Sequence, residues 1–260
     1  MSGNGSVGAN GRSEPDAGHA RSGSPSGTET APPPTALRAD GRLPTGRHGL
    51  SAEEVARSQK QRLMDAMAAL TAAKGYHDTT IAELVTAAGV SRATYYEIFE
   101  DKQECFVATM NEGTRRLGDG VSPVLSEDVS GWDDRVEAVV DRLLHLLAEN
   151  PTYSVTAMVE ALAGGEEAYS IYKDGTSMVM QLLQLGRQYV PEDLELPECT
   201  ERVVVGGGEW LIAGEMIAGR VDRVPDLIAD YVYISLLPYR GQEEALERMS
   251  AVRERLRSAA

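Results

Sequence analysis

Residues 79–102, TTIAELVTAAGVSRATYYEIFEDK, predict two short helices joined by a tight turn. Thr80 suits the start of the first helix because its hydroxyl can accept a backbone N–H, and Glu83 three residues later completes a capping box. An apolar face follows at helical spacing and consists of Ile81, Leu84, Val85 and Ala88. Gly89 stands where this face ends, a position at which a helix commonly closes with a left-handed residue.

The second predicted helix covers residues 92–99, with Ser91 as its N-cap, and Asp101 is expected to cap a third helix. The outer face of the second helix combines hydrogen-bonding side chains with one small residue: Arg92, Ala93, Thr94 and Tyr96. Such side chains suit base edges and phosphates in a major groove. The order of helix, glycine turn and capped polar helix indicates a helix-turn-helix that binds DNA. The alternative is a solvated amphipathic helix within a bundle.

Residues 88–106, AGVSRATYYEIFEDKQECF, resemble the DNA-binding signature of tetracycline-repressor (TetR) family transcription regulators, AGVSxGTLYxxFxSKExL. The resemblance covers about residues 51–110. It implies that Tyr95 and Phe99 pack inward. The DNA-binding residues that it implies, together with the helix caps, are Thr80, Ser91, Arg92, Ala93, Thr94, Tyr96 and Lys102, the last as a phosphate contact. Ala82 and Ile98 stand where the family often has polar base-contacting residues, so we expect fewer side chains to read the operator.

Composition divides the chain into three parts. Residues 1–48 are rich in Gly, Ser, Pro and Ala, and we predict a disordered tail because they offer little apolar surface to bury. Residues 49–112 form the predicted DNA-binding domain, and residues 113–260 form a predicted helical domain for ligand binding and dimerisation. No apolar run predicts a signal peptide or a membrane span. Two distant cysteines, Cys105 and Cys199, fit a reducing cytoplasm, where we place the protein.

The net charge of −15 is unusual for a protein that binds DNA. Residues 1–48 have a net charge of +1, residues 49–112 of −4 and residues 113–260 of −12. Attraction to phosphate must therefore come from local groups rather than from a general field. Arg92 and Lys102 are the expected groups, together with Arg42, Arg47 and His48 in the tail.

The C-terminal part reads as helices separated by glycine and proline. Residues 118–131 contain three glycines and a proline and predict a linker. The predicted helices that follow cover residues 132–149, 151–165, 166–189, 198–220, 224–239 and a charged segment from 242 onward. With no sustained alternation of period two, the sequence predicts an all-α fold.

Two further sites are predicted in these helices. A regulatory pocket for an unknown small-molecule effector is expected among adaptable apolar and polar side chains: His145, Met158, Glu160, Tyr169, Tyr172 and Met178. The alternative is that they form ordinary core. In the TetR family the last two major helices form a four-helix dimer interface, which implies a homodimer. The residues expected there are Gly207, Trp210, Leu211, Leu227, Tyr231 and Ile234; the alternative is a core within one subunit.

The sequence offers little support for catalysis. The four histidines are dispersed without HExxH or a Cys/His cluster, so we predict no metal site and no cofactor. The motifs GxSxG and GxxxxGK[ST] are absent, and we assign no catalytic residue. We therefore expect a homodimeric repressor that is released from a palindromic double-stranded DNA operator by a small molecule. The alternative is a helical ligand-binding or scaffold protein whose helix-turn-helix is only structural.

Overall fold

The computed structural model describes residues 51–127 and 131–259, and every regular element within these ranges is a helix. The α-helices are α1 Ala52–Lys74, α2 Ile81–Ala88, α3 Arg92–Ile98, α4 Lys102–Ser126, α5 Trp132–Glu149, α6 Pro151–Val159, α7 Gly165–Gln184, α8 Thr200–Ile217 and α9 Ile228–Ala259. The predicted all-α fold class is confirmed. The predicted disordered tail and the basic groups assigned to it lie outside the described residues.

Helices α2, α3 and α4 begin at the predicted capping residues, and α1 begins after Ser51. Ser51 and Thr80 each form a capping box with the glutamate three residues later. Ser91 Oγ accepts the Thr94 N–H at 2.9 Å, and Asp101 Oδ1 accepts the N–H of the residue three positions on at 2.8 Å. These caps satisfy backbone donors that a helix start otherwise leaves unpaired, which is why short polar signals located the helices correctly.

The turn between α2 and α3 has the geometry that the sequence predicts. Gly89 has φ 62° and ψ 41°, in the left-handed region that favours glycine. Its N–H points back to carbonyls of the last turn of α2, and Arg62 of α1 donates from Nη1 to the Ala88 carbonyl at 2.8 Å. The turn is therefore held from both its own helix and α1.

The predicted linker at residues 118–131 is wrong for most of its length, because α4 continues to Ser126 through two glycines and Pro123. A Cβ at Gly120 would lie 2.7 Å from the Leu146 methyl groups, so this glycine allows α4 and α5 to approach closely. Arg142 Nε donates to the Gly120 carbonyl at 3.3 Å, and Arg135 Nη1 donates to the Leu125 carbonyl at 2.5 Å. Packing and these arginines stabilise a helix that local propensity disfavours.

The buried side chains form two hydrophobic clusters. The N-terminal cluster contains residues of α1, α2, α3 and α4, and Leu63, Tyr95 and Phe106 are fully buried in it. It also includes Ala161 and Ala168 from the C-terminal part. The C-terminal cluster joins α5, α7, α8 and α9. Since α4 contributes to both clusters, the predicted boundary between residues 112 and 113 falls within one continuous helix. That boundary remains a prediction.

The last helices differ from the prediction at their ends. The predicted helix 166–189 is α7 followed by a 3-10 segment, Leu185–Tyr189. A second 3-10 segment, Val221–Leu227, replaces the predicted start of the helix at residue 224. Gly241 has φ 77° and breaks the helical path of α9, which agrees with the predicted new start at residue 242.

Candidate nucleic-acid interface and internal cavity

The outer face of α3 presents the side chains that the sequence predicts. Arg92, Ala93 and Tyr96 are exposed, and 48% of the Tyr96 surface is accessible. Arg92 Nη2 lies 3.3 Å from the Tyr96 hydroxyl, and its guanidinium lies 5.7 Å from the centre of that ring. One turn of helix separates the two residues, so together they form a polar, cationic edge that can enter a groove.

The inner face of α3 is fixed in the N-terminal cluster. Tyr95 and Phe99 are buried, as the family resemblance implies, and the Tyr95 hydroxyl donates to the Asp101 carbonyl at 2.8 Å. Burial raises the pKa of Tyr95 well above its ordinary value, so this hydroxyl remains a donor. Packing on one face and a hydrogen bond at the end of the helix hold the outer face in a defined orientation.

The predicted hydroxyl groups lie at the starts of α2 and α3. Ser91 and Thr80 are exposed, while Thr94 is half-buried, with its Oγ1 at 2.8 Å from Ser91 Oγ. Thr80 Oγ1 lies 2.7 Å from Glu83 Oε2. Hydrogen bonds from Lys74 and Thr80 lower the pKa of Glu83 to about 2, so this carboxylate stays ionised next to the proposed DNA surface.

Lys102 does not have the free ammonium group that a phosphate contact requires. Its Nζ donates to the carbonyls of Tyr76 at 2.9 Å, His77 at 3.3 Å and Thr79 at 3.0 Å, and it lies 4.3 Å from the centre of the Tyr76 ring. Because an ammonium has three donors, these contacts occupy it. The predicted phosphate contact is corrected to a tie between the start of α4 and the α1–α2 loop.

Several other cations of this part of the chain are also engaged. Arg57 pairs with Glu53 at 2.9 Å, and Lys74 pairs with Glu83 at 2.6 Å. Arg92 differs from them, since its recorded contacts are with Tyr96 rather than with a carboxylate. It is therefore the cation best placed to contact DNA through α3.

A largely apolar cavity of about 210 Å³ lies between α4, α5, α6, α7, α8 and α9. Of the six predicted pocket residues, Met158, Tyr172 and Met178 line it. The other lining residues are Thr114, Leu117, Gly118, Leu143, Leu147, Ala157, Asp174, Gly175, Thr176, Val179, Val205, Glu209, Ile212 and Tyr231. The structure thus brings half of the predicted set to one cavity.

The other three predicted pocket residues lie elsewhere. His145 Nδ1 is 2.8 Å from the Asp141 carbonyl on its own helix. Tyr169 is 42% exposed and stacks on Tyr172 from outside the cavity lining. Glu160 ends α6 and accepts the Tyr76 N–H at 2.9 Å, so it contacts the α1–α2 loop instead of a ligand. These three assignments are corrected because helical spacing does not show which neighbour a residue faces.

Glu209 is a cavity residue that the sequence prediction missed. Its Oε1 is buried and has no hydrogen-bond partner among the described residues. Burial raises the pKa of Glu209, while a hydrogen bond from Tyr172 opposes this shift. A signal was present, because Glu209 is the only charged residue in VVVGGGEWLIAG, residues 203–214. An isolated acid in an apolar helix is a candidate functional group.

The predicted dimer residues divide into an outer and an inner set. Trp210 is 80% exposed, Gly207 and Leu211 are also exposed, and Leu227 and Ile234 are half-buried. Tyr231 is 3% exposed and lines the cavity. A Cβ at Gly208 would lie only 1.6 Å from the Tyr231 ring, so that glycine admits the ring within one subunit. The interface assignment of Tyr231 is therefore corrected.

Cys105 offers no support for a redox role. It is fully buried in the N-terminal cluster, and burial raises the pKa of its thiol to about 12. The reactive thiolate is therefore disfavoured. We treat Cys105 as a small core residue.

Comparison with known families agrees with the geometry of α2 and α3. Residues 63–109 match the family described as bacterial regulatory proteins, tetR family. Residues 63–109 therefore belong to a TetR-family domain. The match begins inside α1 and ends inside α4, so it covers the helix-turn-helix and the helices that hold it. A comparison with curated protein sequences finds no match.

Solved structures extend the likeness to the whole TetR-type fold. The fatty acid degradation regulator FadR from Bacillus halodurans has 17% identity and a TM-score of 0.61, over 71% of this chain and 96% of that one. FadR from Bacillus subtilis, solved in complex with stearoyl-CoA, has 17% identity and a TM-score of 0.57, over 70% and 98%. A TetR-like regulator from Rhodococcus sp. RHA1 has 18% identity and a TM-score of 0.56, over 71% and 97%. At such identities the likeness concerns the fold.

None of the described helices is both long and apolar enough to span a membrane.

Proposed function

We propose that the protein is a sequence-specific DNA-binding transcription repressor. The observation that supports this function is the TetR-family helix-turn-helix with Arg92 and Tyr96 exposed on a firmly packed α3. Arginine on the outer face of such a helix can donate two hydrogen bonds to a guanine edge. A DNA operator implies action in the cytoplasm. Binding to DNA from the protein's own promoter region, measured against scrambled DNA of equal length, tests this proposal.

We also propose that the repressor is a homodimer. The outer face of α8 carries an apolar stripe at spacings of three and four residues, formed by Val203, Gly207, Trp210, Gly214 and Ile217. Val203 is 66%, Trp210 80% and Ile217 71% exposed, which is unusual for large apolar side chains on one helix face. A second copy of the same stripe is a suitable cover, because a two-fold interface is self-complementary.

Gly207 and Gly206 provide a test of the dimer. A Cβ at either glycine meets nothing within 4 Å, so a side chain there leaves the subunit fold intact. Gly207→Leu adds bulk within the proposed stripe, and we expect monomers in sedimentation velocity and loss of operator binding. A dimeric Gly207→Leu protein with normal DNA binding contradicts the proposed interface. Gly206→Leu, at the margin of the stripe, is the matched variant and should weaken the dimer less.

Ligand release is the third part of the proposal. Helix α4 lines the cavity through Thr114, Leu117 and Gly118, and its first residue, Lys102, holds the α1–α2 loop. Helix α6 lines the cavity as well, and it contacts α1 where the Tyr153 hydroxyl donates to Asp65 Oδ1 at 2.7 Å. A molecule that separates these cavity walls therefore moves helices that are bonded to the DNA-binding domain. Loss of operator binding on addition of an effector tests this link.

A palindromic operator follows from the proposed dimer. Two equivalent α3 helices related by a two-fold axis contact equivalent half-sites, with centres roughly 34–36 Å apart. The repressor role itself is tested by transcription from the operator with and without the protein.

The alternative function is a helical ligand-binding protein whose helix-turn-helix is structural. The acidic charge of residues 49–112 and the engagement of Lys74 and Lys102 favour this alternative. It predicts that a small molecule binds while DNA of any sequence does not. Parallel titrations with DNA and with small molecules separate the two functions.

A further inference from the structure

Glu209 places a carboxyl group inside the apolar cavity without completing its hydrogen bonds. Its Oε1 is buried and has no partner among the described residues, and its raised pKa reflects the loss of hydration. An unpaired buried polar group has a free-energy cost that a hydrogen bond from a ligand can remove. Glu209 Oε1 is therefore a strong hydrogen-bond acceptor in the cavity, and a ligand can supply the donor.

The charge of the cavity lining selects the kind of donor. Among the described residues that line the cavity, Glu209 and Asp174 are acidic and none is basic. Asp174 is exposed, so its charge lies where the cavity meets solvent. A carboxylate or phosphate ligand would meet only like charge here, whereas a cation would be attracted at the mouth and paired inside.

Two aromatic rings stand beside Glu209. Burial, and then the neighbouring Glu209 carboxyl, raise the pKa of Tyr172 and of Tyr231 above the ordinary value, so both hydroxyls lie close to that carboxyl. Both rings line the cavity, and ring faces attract cations. The remaining walls are mainly apolar, and a cavity of about 210 Å³ suits a compact apolar body.

We propose that the effector is a compact apolar molecule with a protonated amine that donates a hydrogen bond to Glu209 Oε1. This inference rests on the proposed function only in calling the molecule an effector, since the binding step needs no DNA. It differs from a transfer of the acyl-CoA chemistry of the Bacillus subtilis FadR complex, which would bring an anionic ligand into an acidic cavity.

Three probes with one hydrocarbon cage test this proposal: 1-adamantanamine, 1-adamantanol and adamantane-1-carboxylate. Isothermal titration calorimetry of the full chain without DNA at pH 7 measures each affinity. We expect the amine to bind most tightly and the carboxylate most weakly. The two should differ by roughly tenfold to a hundredfold, because charge-assisted hydrogen bonds are the stronger class. This ranking requires no variant and is unaffected by folding defects.

Two variants, Glu209→Gln and Asp174→Asn, then test whether amine affinity depends on where the negative charge lies or only on its presence. Each removes one negative charge, but the first acts inside the cavity and the second at its exposed mouth. We expect Glu209→Gln to weaken amine binding about tenfold or more and to leave the alcohol nearly unchanged. Asp174→Asn should change amine affinity less than threefold, because solvent screens an exposed charge.

Several outcomes contradict the proposal. These are a carboxylate that binds as tightly as the amine, an amine that shows no binding to the wild-type protein, and an amine affinity that Glu209→Gln leaves unchanged. An amine that binds as expected but does not release operator DNA supports the binding site and counts against the proposed regulation. Binding and regulation can therefore fail separately.

Discussion

Lys102 in the DNA-binding domain and Glu209 in the helical bundle are both charged side chains in partly buried surroundings. Three backbone carbonyls surround the Lys102 ammonium, whereas Glu209 Oε1 has no partner among the described residues. The first arrangement fixes the loop before α2, and the second leaves an acceptor facing a cavity. The comparison indicates that contacts within the chain fix the DNA-binding domain, whereas the cavity in the helical bundle needs a bound ligand to complete its hydrogen bonds.

The largest expected loss of stability comes from a variant that disturbs the packing around the cavity. Gly208→Leu should lower the free energy of unfolding by about 3 kcal/mol or more, because even a Cβ would lie 1.6 Å from the Tyr231 ring. Urea unfolding followed by circular dichroism measures the change. Gly206→Leu adds the same side chain to the same helix, where a Cβ meets nothing within 4 Å, and should change stability by less than about 1 kcal/mol. A loss at Gly208→Leu as small as that at Gly206→Leu would contradict this and show that the Tyr231 ring can move aside.

Lys102→Ala tests whether the DNA-binding domain depends on its internal tie. We expect a loss of about 1.5–3 kcal/mol in the free energy of unfolding, since a charged donor to three carbonyls is removed. Lys60→Ala is the control, because Lys60 is exposed and its Nζ lies 5.5 Å from the centre of the Phe99 ring, without the three carbonyl contacts that Lys102 makes. If Lys102→Ala leaves the stability unchanged and flattens the salt dependence of DNA binding, Lys102 contacts a DNA phosphate and is not an internal tie.

Glu209→Gln should have a smaller effect that depends on pH. The pKa of Glu209 is raised above 4.5 in the folded protein, so the folded state holds this proton more tightly than the unfolded chain. The carboxyl therefore destabilises the wild-type protein as the pH rises through 4.5 and up to the folded pKa. We expect Glu209→Gln to have the higher melting temperature at pH 7, and the gain to disappear below pH 4.5. Thermal unfolding of both proteins across this range measures it, and a gain that grows on acidification would contradict the assignment.

The sequence predicted the DNA-binding domain well because its signals are local. Thr80, Ser91 and Asp101 cap helices within three residues of themselves, and Gly89 takes the left-handed conformation that its position indicates. The same local reasoning failed in α4, where two glycines and Pro123 predicted a linker. There the contact of Gly120 with Leu146 and the arginines of α5 outweigh local propensity.

The cavity was only partly predictable because its lining depends on how six helices pack. Met158, Tyr172 and Met178 face it, but Glu160 at the end of the same helix as Met158 faces the α1–α2 loop. Tyr231 was expected between subunits and lies within one, because Gly208 leaves room for its ring. Spacing along a helix shows which residues share a face but not which neighbour that face meets.

The most direct test of the account is the affinity of Arg92→Ala for the proposed operator. Fluorescence anisotropy with promoter DNA and with scrambled DNA, at one salt concentration, compares it with the wild-type protein. We predict that the variant keeps its stability and loses about 1–3 kcal/mol of specific binding, with little change on scrambled DNA. If the wild-type protein does not distinguish the two DNAs, or if Arg92→Ala binds the promoter as tightly as wild type, α3 is not the element that reads DNA.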